Sequence, residues 1–227
     1  MNLSIEGVLL ALLAAAAVPA GSLWRARGEL SQDRAAFVLA GACGVLVIGA
    51  ALALVDSIQP RVGVAVGVTA FLVGAAAYKV ADWGRFCAAQ VLHRRRPLAG
   101  CAAVIGAVGV AEHILLGVAI AGSSAWVTAL VVCGVTLSNL CLGFKAPQRC
   151  AWVAAALAAL LGVAVAGLAG DAGLEFLPLA AGLASGAVLT KLVDTVVPDA
   201  LAHMHRFAAQ YTFGAFIAVL ALAQAIG

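Results

Sequence analysis

The chain has 227 residues, 65% of them hydrophobic and only 10% charged, with a mean hydropathy of +1.12 and a formal net charge of +3. An average soluble domain is roughly 25% charged, and 13 Lys and Arg with 10 Asp and Glu cannot cover the surface of a soluble fold of this size. Low charge also excludes a disordered chain, and basic residues confined to short loops argue against a nucleic-acid partner. What remains is a polytopic membrane protein with the lipid bilayer as its first partner.

Crossing the hydrocarbon core takes about 20 mostly apolar residues per helix. Eight stretches qualify, at about 7–24, 37–55, 62–82, 98–122, 125–144, 151–170, 173–198 and 209–226. They are rich in Ala, Leu, Val and Gly and lack the ~10-residue in/out alternation of a membrane barrel. Small residues let membrane helices approach closely, so 25 Gly suit a helical bundle. The expected fold is therefore all-α, one transmembrane domain over 1–227, with no room for a soluble domain. The opening Met1-Asn2-Leu3-Ser4-Ile5-Glu6 has no positive stretch, so the first span is expected to be kept rather than cleaved. Ser123 and Ser124 alone separate spans 4 and 5, which predicts a tight antiparallel hairpin.

Arg25, Arg27, Arg34, Arg85, Arg94, Arg95, Arg96, Lys145, Arg149 and Arg206 fall in the loops on one side, and Arg61 alone falls in those on the other. Basic loops stay cytoplasmic, so both termini are expected outside, in an inner (plasma) membrane. Most of the six Cys lie within spans or near their cytoplasmic ends. There they are expected to pack as small hydrophobes, and structural disulfides are not expected.

A short repeat is visible. Residues 53–60, Ala-Leu-Val-Asp-Ser-Ile-Gln-Pro, match residues 191–198, Lys-Leu-Val-Asp-Thr-Val-Val-Pro. Asp56 meets Asp194 and Pro60 meets Pro198 at an offset of 138 residues, and Gly44 meets Gly182 at the same offset. Spans 2 and 7 cross in opposite directions, so the match reads as an inverted-topology repeat, a common plan of secondary transporters. Spans 1–3 (about 7–82) and 6–8 (about 151–226) would be the halves, with spans 4–5 (about 98–144) between them.

Polar groups at mid-membrane are costly and mark functional sites. Span 4 carries Glu112 and His113, span 5 carries Thr136, Ser138 and Asn139, and span 7 carries Lys191, Asp194 and Thr195. Lys191 and Asp194 are three residues apart, so both should lie on one side of a regular helix. Lys79 and Asp82 share that spacing, but near the cytoplasmic end, where they read as an interfacial pair. Asp56 and Asp199 fall at membrane borders, where solvation or helix capping is expected. Carboxylate and imidazole are ligands of divalent transition metals, whereas adjacent helical residues diverge by ~100°. Two readings follow: an ion site, or a structural network in which Glu112 pairs with Lys191 and His113 bonds Asn139 or a hydroxyl. No nucleophile–base arrangement is present, and Glu112-His113 lacks the two His one turn apart of a metalloprotease helix, so an enzyme is not expected.

The eight-span, 3+2+3 plan with both termini outside resembles the ZIP (Zrt/Irt-like) family of divalent metal transporters. The resemblance extends to motifs. Span 4 reads Glu112-His113-Ile114-Leu115-Leu116-Gly117 where that family has His-Asn-x-Pro-Glu-Gly. Span 5 reads Ser138-Asn139-Leu140-Cys141-Leu142-Gly143 in the same register, and span 7 reads Asp194-Thr195-Val196-Val197-Pro198-Asp199. The resemblance implies transport of a divalent cation (Zn, Fe, Mn or similar) toward the cytoplasm, and a homodimer. It implies metal ligands at Glu112, His113, Asn139 and Asp194, path or site-filling groups at Ser138, Lys191 and Thr195, and cytoplasmic acceptors at His203 and His205. The departures are large: Leu116 and Leu142 replace the bridging Glu residues, Leu115 and Cys141 replace the motif prolines, and Thr195 replaces a Glu. A two-metal centre cannot be built from what remains. The alternative implied is a metal-free homologue with a structural, regulatory or different-substrate role, its old site filled by a Lys–carboxylate pair.

Overall fold

The computed structural model describes residues 5–28, 32–58, 64–92, 110–145, 148–171, 176–198, 202 and 208–226. Among the described residues the chain is all helix: α1 (Ile5–Ala26), α2 (Gln32–Ile58), α3 (Val64–Leu92), α4 (Val110–Gly122), α5 (Ala125–Lys145), α6 (Gln148–Asp171), α7 (Leu177–Lys191) and α8 (Ala208–Ile226). Each falls on one of the eight expected spans. Six contain a stretch long and apolar enough to cross a membrane, while Val110–Gly122 and Ala209–Ala221 are shorter apolar pieces. The expected start of the fourth span, residues 98–109, lies outside the described residues.

Helix ends follow from local chemistry. α1 stops where Gly28 takes φ 69, a left-handed conformation that costs glycine little, and its N–H caps Arg25 O at 3.0 Å. The expected hairpin between α4 and α5 is present. Thr128 Oγ1 donates to Ala119 O at 2.8 Å, closing the last turn of α4. Ser124 precedes α5 and Asp56, from the end of α2, accepts from its backbone N–H (3.3 Å) and its hydroxyl (3.1 Å). Ser124 itself caps α5, its Oγ accepting from Val127 N–H at 3.5 Å, and Asp56 fastens that cap from a distant part of the sequence. Asp56→Ala should lower stability by about 1 kcal/mol, the usual cost of weakening a cap, read as a lower thermal midpoint in detergent with helix content unchanged.

The helices pack as one bundle: α1 lies on α5 and α6, α4 on α5, α6 and α7, α2 on α5, α7 and α8, and α3 on α7. Exchanging α1 with α6, α2 with α7, α3 with α8 and α4 with α5 carries each of these pairings onto another of them or onto itself. The two glycines 138 residues apart occupy matching places. Gly44 of α2 admits α8 at Thr212 O and Phe216 N, and Gly182 of α7 admits α3 at Ala70, Gly67 O and Phe71 N. The two motif glycines match in the same way, Gly143 of α5 lying on Val18 O of α1 and Gly117 of α4 on Val165 and Gly162 of α6.

After Lys191 the seventh helix widens into one π-helical turn, Leu192–Val196, whose end is marked by the Val197 N–H bonding back five residues to Leu192 O. Such turns are uncommon and concentrate at functional sites.

The thiols correct one expectation. Cys43, Cys133 and Cys141 are not disulfide-bonded, but Cys150 is. Cys150 stands in the first turn of α6 rather than in the middle of a span, where a thiol can still meet another chain segment.

Candidate functional site

The site forms where α4, α5 and α7 meet, with α1 and α2 closing it. Glu112 is only 1% exposed and His113 is fully buried, although both carry polar side chains. Burying such groups in a bundle is tolerable only if they are paired and hydrogen-bonded. The adjacent residues diverge, as helix geometry requires, and reach consecutive residues of α5. Ser138 Oγ donates to Glu112 Oε1 at 3.1 Å. Asn139 Nδ2 lies 3.3 Å from His113 Nε2. Asn139 Nδ2 also donates to the carbonyl of Ala14 on α1 at 2.8 Å, tying the polar cluster to a third helix. Both α4–α5 bonds join residues 26 positions apart, the separation that also aligns Gly117 with Gly143. The matched motif positions of the two helices therefore bond each other.

The remaining carboxylate oxygen faces a cation. Lys191 Nζ lies 3.1 Å from Glu112 Oε2, with the lysine side chain 13% exposed. Glu112 Oε2 takes no aligned hydrogen bond, so its compensation is the ammonium charge; Asn139 Oδ1 likewise takes no hydrogen bond. From α2, the fully buried Cys43 belongs to the same apolar cluster as Leu115, Leu116 and Cys141.

Asp194 does not share this site's lysine. It pairs with Lys79 of α3, and Tyr78 Oη lies 3.2 Å from Thr195 Oγ1. This corrects the expectation that Lys191 and Asp194 lie together on one helix side. A π-helical turn advances each residue by less than the ~100° of an α-helix, so three residues across Leu192–Val196 turn Asp194 away from Lys191. Lys191 thus serves the buried α4 carboxylate, and Asp194 and Thr195 serve α3, in a more exposed place (Lys79 61% and Asp194 29% exposed).

Of the sequence-predicted residues, Glu112, His113, Ser138, Asn139 and Lys191 come together, while Asp194 and Thr195 join a separate α3–α7 cluster. His203 and His205 lie outside the described residues. Among the described residues no three His, Cys, Asp or Glu side chains are grouped so as to hold a metal ion. Sequence reasoning missed Lys79 as the partner of Asp194, Tyr78, Cys43 and the Ala14 carbonyl. Lys79 was matched to nearby Asp82 by spacing, and a backbone carbonyl carries no sequence signal at all. A hollow of about 420 Å³ between α3 and α7 is lined by Ala65, Val66, Thr69, Ala70, Val73, Leu179 and Leu183 and contains none of the site residues.

In comparison with known proteins, no family model matches the chain and no curated protein matches its sequence.

Proposed function

We propose that this multi-pass membrane protein is a ZIP-like homologue in which a fixed lysine takes the place of a divalent cargo ion, so that it works without a metal at its central site. The observation that carries this reading is the buried contact between Lys191 Nζ and Glu112 Oε2, 3.1 Å apart. A divalent cation entering beside Glu112 would meet the Lys191 ammonium, and like charges at such range in a weakly screening interior repel strongly. The 3+2+3 plan with an inverted repeat is supported by the helix pairings, which are preserved when the halves are exchanged, and by the matching places of Gly44 and Gly182. The excess of Arg and Lys in alternate loops supports an orientation with both termini outside.

A second reading, transport of a divalent cation through the α4/α5/α7 interface, has one observation in its favour. Asn139 Oδ1 is a buried acceptor without a hydrogen bond, the amide nitrogen of the same side chain lies 3.3 Å from His113 Nε2, and divalent transition metals accept such donors. Uptake into liposomes separates the two. With a metal-sensing dye inside, wild type should import none of Zn, Fe, Mn, Co, Ni, Cd or Cu above empty liposomes. Metal import that Glu112→Ala with His113→Ala abolishes would overturn the metal-free reading and establish the second.

A further inference from the structure

Where α3 and α7 cross, glycines bring the two backbones together. A Cβ at Gly74 would strike Leu183 O, and one at Gly186 would strike Phe71 O. Two cylinders that touch leave a valley along their contact. Here the valley is the hollow of about 420 Å³, with Ala65 to Val73 as its α3 wall and Leu179 and Leu183 as its α7 wall. Ala65, Thr69 and Val73 are four residues apart, so the valley follows the helix axis for about 12 Å at 1.5 Å per residue. The hydrocarbon of one leaflet is about 15 Å deep, half of a core of about 30 Å. Because α3 begins at Val64, the valley covers most of the depth of one leaflet. It opens sideways out of the bundle: Val66 and Val73 are 41% and 52% exposed, and Leu179 and Leu183 are each 39% exposed. Water has no reason to stay there. Thr69 is the one polar side chain of the lining, and its hydroxyl already donates to Ala65 O at 2.8 Å, whereas a held water needs two to four polar partners.

We propose that this valley is a binding groove for one acyl chain of a membrane lipid, in the leaflet at the Val64 end of α3, which is the outer leaflet in the orientation proposed above. The walls cannot close on an empty groove, because the backbone contacts at Gly74 and Gly186 fix the spacing of α3 and α7. Unfilled apolar space forfeits the dispersion contacts of its lining. Lipid tails are as apolar as the groove, so no hydrophobic gain favours entry; the gain is contact on several sides at once, and the chain is held by shape. A second copy of the protein is the competing occupant and fits less well. A helix is about 10–12 Å across with its side chains, as wide as α3 and α7 themselves. It would rest on the rim at Val66, Val73 and Leu179 and leave the floor at Ala70 uncovered. A single row of methylenes reaches that floor and runs, like the valley, across the leaflet. The groove shares no residue with the Glu112–Lys191 site, so it stands or falls apart from the metal-free reading.

The test places the full chain in nanodiscs doped with a phosphatidylcholine that carries a diazirine at mid-chain, and maps cross-linked peptides by mass spectrometry after irradiation. Label on residues 65–73 and 179–183 should exceed label on the lipid-facing stretch of α6 between Leu160 and Leu168 by about tenfold. Both leucines of that stretch are exposed. Ala65→Leu with Thr69→Leu fills the groove from α3 without touching the glycine contacts, and should bring its label down to the level of α6. Ala156→Leu, on the exposed face of α6, should leave the groove label unchanged. Thermal unfolding in delipidated detergent gives a second readout: added phosphatidylcholine should raise the midpoint of wild type more than that of the filled variant. Equal label on the two surfaces, groove label that survives filling, or an equal rise of both midpoints overturns the proposal. A groove without label in nanodiscs that hold two chains overturns it in favour of the second copy.

Discussion

Lys191→Met should destabilise the protein by about 3–5 kcal/mol, and adding Glu112→Gln should recover most of that loss. The reasoning turns on what each variant leaves behind. The single substitution strands a carboxylate that is 1% exposed and whose Oε2 takes no aligned hydrogen bond. Ser138 then remains as the neighbour that donates to it, through Oε1. Removing one partner of a buried pair leaves an uncompensated charge, which costs far more than the pair itself was worth. The double variant removes both charges and keeps volumes similar, so the desolvation cost disappears together with the attraction. Thermal unfolding in detergent of wild type, both single variants and the double variant completes the cycle. A double variant as unstable as Lys191→Met would show that the lysine acts through something other than Glu112.

Gly143→Ala should be the most damaging single methyl added to the bundle. Its new Cβ would collide with the Val18 carbonyl, and its neighbours there are backbone atoms of α1. A flexible side chain could give way, but a helix backbone cannot, so α1 and α5 must part along their contact. Overpacking in a core costs typically about 1–3 kcal/mol, and this site belongs at or above the upper end. Gly41→Ala is the matched control. A Cβ there meets nothing within 4 Å, and alanine gains about 1 kcal/mol over glycine in a helix interior. Opposite signs of the two changes in thermal midpoint are the expected result. Loss of stability in both would mean that the helix pairs are not seated as described.

Most of the fold could be read from the sequence because the bilayer leaves little choice. Every backbone polar group must be satisfied within the span, so a run of apolar residues such as 125–144 can be little other than a helix. The Glu112–Lys191 and His113–Asn139 contacts were readable for a related reason: so few polar side chains occur in the spans that their partners are nearly forced. The fate of Asp194 was not readable. One widened turn breaks the 3.6-residue period that placed it beside Lys191, and no residue in Leu192-Val193-Asp194-Thr195-Val196 announces such a turn. Lys79 was misjudged because spacing favours neighbours on the same helix, whereas its partner here comes from the seventh helix, more than a hundred residues further along the chain. The reach of Asn139 to Ala14 O depends on which helix lies alongside, and only the assembled bundle supplies that.

The π-helical turn at Leu192–Val196 has a consequence for how this chain can change over generations. Compared with an α-helical turn it holds one residue more, so the smallest edit that alters it is the gain or loss of a single codon. Losing one would draw the helix back to regular pitch; four residues at ~100° turn about as far as five at the wider pitch, so the helix beyond keeps its face while the residues of the turn itself are re-aimed. Lys191 precedes the turn and would keep its grip on Glu112, while the positions that now hold Tyr78 and Lys79 would be carried to another neighbour. The two charged contacts of this helix can therefore be inherited, lost or reassigned independently, one by substitution and the other by length.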